Sequence, residues 1–295
     1  MKILLTGATG QVGWELARTL MPVGEVIAVD RTQADLADLS SLRAIIQRQR
    51  PDVIVNPAAY TAVDKAETEQ GQAFLINAEA PGVIAEEADK VGALLVHYST
   101  DYVFDGTKSS LYVEDDTANP VNVYGASKLA GEQAIQAVAG DYLILRTSWV
   151  YASRGNNFLR TILRLAVERE ELRIVADQIG APTWARLIAE TTAHIVRQSL
   201  LEKREAKFKS GIYHLTTSGD TSWHGFAQKI VDIVREQGNV TLKNKAIYPI
   251  PTTDYPLPAQ RPANSRLSTQ RLEQQFGLSL PSWDNALRLS MQELI

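Results

Sequence analysis

The sequence contains no cysteine, which excludes disulfide bonds, thiolate metal sites and a cysteine nucleophile. Its four histidines are scattered along the chain and form no group with metal-ligand spacing. No apolar run approaches the length of about 18 residues that a membrane-spanning helix needs. The start of the chain, "MKILLTGATG", breaks its short apolar run at Gly7, too early for a signal peptide. We therefore expect a cytoplasmic protein.

The chain also lacks a strong charge of either sign. Its 295 residues carry a formal net charge of −4, with 45% apolar and 22% charged residues. This balance is typical of a globular protein and argues against a general nucleic-acid or membrane-surface binder. An anionic ligand would have to be bound by local positive groups, so the expected partner is a small molecule. The length fits one large α/β domain, or one such domain with a smaller lobe.

The first half alternates short apolar runs with helical patterns. Runs that are apolar throughout favour strands of a parallel sheet covered on both faces. The predicted strands cover 2–6, 25–30, 52–59, 93–100 and 142–149, and "GIYHLTTS" adds one later strand. The predicted helices are "QVGWELARTL", "SSLRAIIQRQR", "AFLINAEAPGVIAEEADKVG" and "SKLAGEQAIQAVAG". This alternation predicts a Rossmann-type, doubly wound α/β sheet.

The regular alternation fades after about residue 150. Loops rich in glycine and proline flank predicted helices over 158–170 and 184–202, and a proline-rich stretch leads to short terminal helices. We predict a dinucleotide-binding domain over 1–150, rejoined by about 184–217. The rest of 151–295 is predicted to form a smaller C-terminal α/β substrate-binding lobe with a soft boundary.

Three glycines follow the first strand in "TGATGQVG" and lead into the first helix. Gly7, Gly10 and Gly13 provide a tight turn and close backbone approach to a diphosphate at a helix N-terminus. The second strand ends at Asp30, where a carboxylate can bind a ribose 2′-hydroxyl. Arg31 follows and can accept a 2′-phosphate instead. Both NAD and NADP therefore remain possible at this point.

Polar side chains also follow the fourth strand, and a tyrosine–lysine pair begins a later helix. Thr100, Asp101 and Tyr102 lie at the strand's carboxyl end, the edge where open α/β sheets bind ligands. Tyr124 and Lys128 are four residues apart, so they share one helix face. An ammonium group near a phenol favours tyrosinate, and we expect Lys128 to lower the pKa of Tyr124. Such a tyrosine can donate a proton to an alkoxide or accept one from an alcohol.

These motifs, in this order, resemble the extended short-chain dehydrogenase/reductase family. Further segments carry the resemblance along nearly the whole chain: "RPDVIVNPAAYTAVDKAE", "VHYSTDYVFDG", "NVYGASKLAGE", "LRTSWVYASRGNNF", "DQIGAPT" and "RPANSRL". The similarity is greatest to the nucleotide-sugar reductases of that family. It implies reduction of the C4 ketone of a dTDP-linked 4-keto-6-deoxy-L-sugar by NADPH or NADH. Tyr124 would supply the proton.

The resemblance also implies roles for the matched positions. Tyr124, Lys128 and Thr100 would be catalytic, and the first two would also contact the cofactor. The remaining cofactor contacts would be Gly7, Gly10, Gln11, Val12, Gly13, Asp30, Arg31, Asp38, Leu39, Ala59, Tyr60 and Thr61. The substrate would be bound by Thr100, Asp101, Tyr102, Trp149, Asn156, Asn157 and Arg261.

Two other functions remain open. Dehydratases of this family use a Thr-Asp-Glu run, and the run here is Thr100-Asp101-Tyr102, so the glutamate for water elimination is missing. An epimerase or another nucleotide-sugar reductase is not excluded on this ground. A non-catalytic dinucleotide-binding regulatory subunit is the second alternative, although the tyrosine–lysine pair favours an enzyme.

The acids that bridge some family dimers through a divalent cation are only partly matched. Glu15 and Glu190 match, but Arg186 stands one helical turn before Glu190, where a further acid is expected. A cation there would lose a ligand and meet a like charge. We therefore predict no metal site, and a monomer or a homodimer that is not bridged by metal.

Overall fold

The computed structural model describes residues 1–138, 140–238 and 240–294. Within these ranges, twelve strands form one large sheet and three small ones. The strands are β1 (Lys2–Leu5), β2 (Glu25–Ala28), β3 (Val53–Asn56), β4 (Leu94–Thr100), β5 (Tyr142–Thr147), β6 (Val150–Tyr151), β7 (Glu171–Val175), β8 (Ile179–Gly180), β9 (Thr183–Trp184), β10 (Gly211–His214), β11 (Thr221–Ser222) and β12 (Ala246–Ile250).

Eleven α-helices of the described residues connect these strands. They are α1 (Gln11–Thr19), α2 (Leu39–Gln49), α3 (Val63–Ala66), α4 (Gln70–Phe74), α5 (Ala80–Val91), α6 (Val123–Gln136), α7 (Phe158–Glu168), α8 (Ala185–Arg204), α9 (Trp223–Gln237), α10 (Gln270–Phe276) and α11 (Trp283–Met291). A π-helical turn, Leu75–Glu79, joins α4 to α5. None of these helices is long and apolar enough to cross a membrane.

The large sheet has six parallel strands in the order β10-β5-β4-β3-β1-β2. Its strands are apolar on both faces because each face is covered by helices. One face packs against α1 and α8, and the other against α2 and α5. From β1 the chain continues to β2 on one side of the sheet and later to β3 on the other side. The loops after β1 and β3 therefore diverge and leave a crevice at the carboxyl edge of the sheet. The predicted doubly wound α/β fold is confirmed.

The smaller lobe has its own apolar core, formed by α7, α9 and α11 around Phe226 and Ile230. Strands β7 and β12 form a parallel pair beside it. In contrast, β10 lies at the edge of the large sheet, and α8 packs on α1. The proposed division of the chain at residue 150 stays a prediction.

Two predicted helices differ from the structure, and one observed helix was not predicted. The single helix predicted over 73–92 is α4, the π-helical turn and α5, with Pro81 at the start of α5. The helix predicted over 127–140 begins earlier, at Val123, and ends at Gln136, and residue 139 of that segment lies outside the described residues. Helix α9 was not predicted, although its buried positions follow a helical period.

Candidate active site

The loop between β1 and α1 brings the backbone close to itself and directs a helix N-terminus at the crevice. Gly7 adopts a left-handed conformation with φ +57°. A Cβ atom on Gly13 would lie 2.1 Å from the Gly7 carbonyl oxygen, so no larger residue fits there. The first-turn N–H groups of α1, including those of Gln11 and Val12, have no partner within the helix. This loop therefore offers donors that fit a dinucleotide diphosphate.

The residues expected near the adenosine lie on the loop from β2 to α2. The Asp30 carboxylate accepts hydrogen bonds from the Thr32 backbone N–H (2.9 Å) and hydroxyl (2.6 Å). Arg31 is exposed and forms an ion pair of 3.2 Å with Asp35. Asp38 caps α2 by accepting from the Ser41 N–H at 3.0 Å, and Leu39 is the first residue of the helix.

The loop after β3 is held by an amide from the π-helical turn. Asn77 accepts a hydrogen bond from the Tyr60 N–H at 2.8 Å and donates to the Tyr60 carbonyl at 3.0 Å. The second donation from Asn77 goes to the Ser127 hydroxyl on α6, also at 3.0 Å. The segment that contains Ala59, Tyr60 and Thr61 is thus fixed to the helix that carries Tyr124.

Tyr124 and Thr100 meet at the carboxyl edge of the sheet. The Thr100 hydroxyl lies near the Tyr124 phenol and partly opposes the rise in the pKa of that phenol. The same hydroxyl donates to Asp101 Oδ1 at 3.0 Å and accepts from the Tyr102 N–H at 3.2 Å. The Tyr102 ring meets the Tyr124 ring edge-on, with centroids 5.5 Å apart. Thr100, Tyr102 and Tyr124 therefore lie together at this edge.

The pKa of Tyr124 moves in the direction opposite to the one expected from the sequence. Burial, together with the nearby Asp101 carboxylate, raises it to about 12. The expected lowering by Lys128 is absent because the ammonium is turned toward the sheet. Lys128 Nζ donates to the Tyr98 carbonyl at 2.6 Å and lies 3.2 Å from His97 Nε2. At neutral pH Tyr124 is thus protonated, the form that a proton donor requires.

Lys128 is itself buried, with 2% of its surface exposed. Burial lowers its pKa to about 8, and the negative charge of Glu132 opposes the change. Glu132 forms its own close ion pair with Arg146, at 2.6 Å. The lysine therefore keeps its charge at neutral pH through neutral acceptors rather than through a salt bridge.

Two stacked tryptophans lie beside this centre. Trp149 follows β5 and has φ +47°, an uncommon conformation for a large side chain. Its ring stacks on Trp223, the first residue of α9, with centroids 3.6 Å apart. Gly180 lies against the Trp149 ring, and a Cβ there would come within 2.6 Å. Trp223 was not identified from the sequence, because the helix that carries it was not predicted.

The remaining predicted substrate residues lie where the smaller lobe meets the large sheet. Asn157 caps α7 and donates to the Gln11 side chain at 2.8 Å, while Asn156 is exposed. Arg261 forms a bidentate ion pair with Asp64 on α3, with distances of 2.6 and 2.7 Å. Asn157 thus touches the diphosphate loop, and Arg261 bridges the proline-rich segment to the sheet domain.

The buried carboxyl of Asp101 predicts a pH-dependent stability. Burial raises its pKa from 3.8 to about 6, so the folded chain binds more protons than the unfolded chain in that window. Stability is therefore lost as pH rises from about 4 to 6. Asp101→Asn should raise the free energy of unfolding by up to about 3 kcal/mol at about pH 7.5, and by less than about 1 kcal/mol near pH 4. Urea denaturation at both pH values measures the difference, and an equal gain at both would contradict it.

Arg186 pairs with acids of its own chain. It lies 3.2 Å from the buried Glu15 and also contacts Glu293. Within the described ranges, no three His, Cys, Asp or Glu side chains are arranged to hold a metal ion.

The prediction that no metal bridges two chains is tested by adding EDTA. Elution volume in size-exclusion chromatography and the melting temperature should not change, and dissociation of an oligomer by EDTA would contradict the prediction.

Comparison with known proteins assigns the family. The model of the RmlD substrate binding domain matches residues 1–295. The dTDP-4-dehydrorhamnose reductase of Burkholderia thailandensis is 55% identical over 100% of this chain and 99% of its own length. That of Escherichia coli K12 is 49% identical, with 100% and 98% covered. The crystal structure of the Bacillus anthracis reductase in complex with NADP superposes with a TM-score of 0.87 at 36% identity, covering 99% of each chain. The chain belongs to the RmlD substrate-binding domain family, together with these dTDP-4-dehydrorhamnose reductases.

Proposed function

We propose that this protein reduces the C4 ketone of dTDP-4-dehydro-L-rhamnose to give dTDP-L-rhamnose. The observation that carries the proposal is the placement of Tyr124, at the start of α6, against the segment after β4 that holds Thr100 and Tyr102, at the same sheet edge as a glycine loop suited to a dinucleotide. Family members that match this chain over its whole length are named for this reaction. The proposal includes NADPH as reductant, since the matching Bacillus anthracis structure is an NADP complex.

When bound, NADPH supplies the hydride. The glycine loop (Gly7, Gly10 and Gly13) and the first-turn N–H groups of Gln11 and Val12 hold its diphosphate. Asp30 and Arg31 face the ribose that carries the 2′-phosphate, because both follow β2. The Arg31–Asp35 pair is exposed and contributes about 1 kcal/mol or less, so Arg31 can exchange this partner for a phosphate at little cost.

The adenine and nicotinamide contacts follow the order of the strands along the sheet edge. Asp38 and Leu39 line the adenine side, and Ala59, Tyr60 and Thr61 line the nicotinamide side. Asn77 fixes the second group to α6 through Ser127. The side-chain amide of Asn77 therefore holds the segment around Tyr60 against α6, the helix that carries Tyr124.

Tyr124 donates a proton to the C4 oxygen as its negative charge develops. Its phenol is buried and protonated at neutral pH, so the proton is available at the start of the reaction. The Thr100 hydroxyl, now bonded to Asp101, rotates to donate to the same oxygen and stabilise its charge. Lys128 contacts the cofactor with the N–H that is not bonded to β4.

The sugar and its diphosphate lie between the sheet and the smaller lobe. Asp101 and Tyr102 line the sugar on the sheet side, and Trp149 packs against it from the end of β5. Arg261, Asn156 and Asn157 lie on the nucleotide side. Arg261 carries the positive charge for a diphosphate, and its ion pair with Asp64 holds the guanidinium at the rim of the crevice.

Steady-state assays with dTDP-4-dehydrorhamnose test this proposal against its alternatives. Oxidation of NADPH followed at 340 nm should require the 4-keto sugar and should have a higher kcat/KM than oxidation of NADH. An epimerase would convert nucleotide sugars without net loss of NADPH. A regulatory subunit would bind NADPH but leave all the sugars unchanged. Either of these results would exclude the reductase.

The proposal extends to location and assembly. We place the protein in the cytoplasm, where reduced nicotinamide cofactor is available, as a monomer or as a homodimer without a metal bridge. The residues assigned above all belong to one chain, so the reaction does not require a second subunit. Activity that is independent of protein concentration over the range in which oligomers dissociate would support this point.

A further inference from the structure

A row of buried polar side chains crosses the large sheet beneath Tyr124. Asn56 and His97 occupy paired positions on β3 and β4, and Thr6 follows β1 beside Asn56. Paired residues of neighbouring parallel strands point to the same face, so the three side chains line up. Their exposed fractions are 2% or less. Apolar residues occupy most of this interior, so a polar row needs a specific explanation.

The row ends at Lys128. Thr6 Oγ1 lies 2.6 Å from Asn56 Oδ1, and Asn56 Nδ2 lies 3.1 Å from His97 Nδ1. His97 Nε2 lies 3.2 Å from Lys128 Nζ, which also donates to the Tyr98 carbonyl at 2.6 Å. Two of the three ammonium protons are thus bound by β4, which fixes the direction of the third. That third proton is the one left for the active site.

The charge on Lys128 determines where the proton of His97 lies. An ammonium group only donates hydrogen bonds, so Nε2 of His97 must accept and carry no proton. The neutral imidazole then carries its proton on Nδ1, which donates to Asn56. Asn56 therefore presents its oxygen to His97 and its NH2 group to the Thr6 hydroxyl, the arrangement reached by turning the amide through 180°. Burial keeps the pKa of His97 far below its ordinary value, which agrees with a neutral ring.

We infer that His97 is a positioning residue for the reaction: its unprotonated Nε2 holds the Lys128 ammonium in the orientation that the active site uses. This inference rests on the proposed reductase function. Among the described residues, no carboxylate lies within 4.0 Å of Lys128 Nζ, and the nearby Glu132 is paired with Arg146. The other titratable groups of this region are Tyr124 and Glu132 on α6, Arg146 on β5, which pairs with Glu132, and Asp101, whose charge raises the pKa of Tyr124. His97 is thus the side chain that compensates the buried charge.

The position of the His97 proton is observed by NMR in the wild-type protein, and a variant is needed only to assign the signals. In protein labelled with 15N-histidine, two-bond 15N–1H correlation spectra distinguish the two neutral ring forms. The four histidine rings are assigned by comparison with His97→Gln. We expect His97 to be neutral and protonated on Nδ1 at neutral pH. A proton on Nε2, or a charged ring, would overturn the inference whatever reaction the protein catalyses.

The functional role is tested with a matched pair of substitutions. His97→Leu removes the acceptor, whereas the amide oxygen of His97→Gln reaches the position of Nε2. The Leu variant should lose about 10- to 100-fold in kcat, the range for a lost hydrogen bond to a charged group, with little change in the KM for the sugar. Its loss of activity at high pH should begin about one pH unit lower, because the ammonium gives up its proton more readily.

The Gln variant should recover most of kcat and restore the pH profile. Equal loss in both variants, or unchanged kcat and pH profile in the Leu variant, would overturn the inference. If the Leu variant does not fold, the proton position and the Gln variant still decide the question. If the wild-type chain shows no reductase activity, the proposed function fails, while the spectroscopic result on His97 stands independently.

Discussion

Replacing Tyr124 by Phe should lower kcat by about 1,000-fold, the loss expected when a general acid is removed. The substitution removes one oxygen and keeps the ring, which packs edge-on against Tyr102. The glycine loop lies between β1 and α1, whereas Tyr124 lies on α6, and the substitution changes no atom of that loop, so NADPH affinity should change little. Steady-state kinetics and fluorescence titration with NADPH measure the two quantities separately.

Tyr255→Phe is the matched control for this experiment. Tyr255 is 56% exposed and lies on the proline-rich segment, so loss of its hydroxyl should leave kcat unchanged. A kcat for Tyr124→Phe within a few-fold of wild type would show that another group protonates the C4 oxygen. A large loss of NADPH affinity would instead assign Tyr124 a role in binding.

The second large effect is expected at Gly13. In Gly13→Ala the new Cβ would lie 2.1 Å from the Gly7 carbonyl oxygen and 2.8 Å from its carbon, both backbone atoms. The loop must therefore open, and the first-turn N–H groups move away from the diphosphate. Overpacking of this kind costs about 1–3 kcal/mol, which corresponds to roughly 5- to 150-fold weaker NADPH binding if it falls on the bound loop. Isothermal titration calorimetry measures the dissociation constant.

Gly71→Ala is the control for the glycine substitution. Gly71 lies within α4, and a Cβ there would meet no atom within 4 Å. Since alanine favours a helix over glycine by about 1 kcal/mol, this variant should be slightly more stable and bind NADPH normally. Wild-type affinity in Gly13→Ala would contradict the close approach of the two loop segments.

The signals by which the sequence predicted the sheet and the candidate site residues are local. The apolar strands, the glycine loop after β1 and the spacing of Tyr124 and Lys128 all depend on neighbouring residues. The π-helical turn was not predictable, because one extra residue per turn does not disturb the apolar pattern enough to be seen. It matters for the site, because it carries Asn77 and so fixes the segment around Tyr60.

The electrostatics of the site depend on pairings that are distant in the chain. His97 meets Lys128 because α6 packs on β4, and the register of β3 and β4 places Asn56 at the other ring nitrogen of His97. The i, i+4 spacing of Tyr124 and Lys128 indicated direct lowering of the phenol pKa, but the ammonium is bonded to the sheet. Trp223 similarly reaches Trp149 from a helix of the other lobe. The roles assigned to individual site residues stay predictions until variants are measured.

The most direct test of the proposed reaction follows a labelled hydride. Wild-type protein is incubated with dTDP-4-dehydrorhamnose and NADPH that carries deuterium at the transferable position of C4, and the sugar is examined by NMR. We predict dTDP-L-rhamnose with deuterium at C4, formed in equal amount to the NADPH oxidised. Oxidation of NADPH without deuterium at the sugar C4, or conversion of the sugar without oxidation of NADPH, would contradict the account.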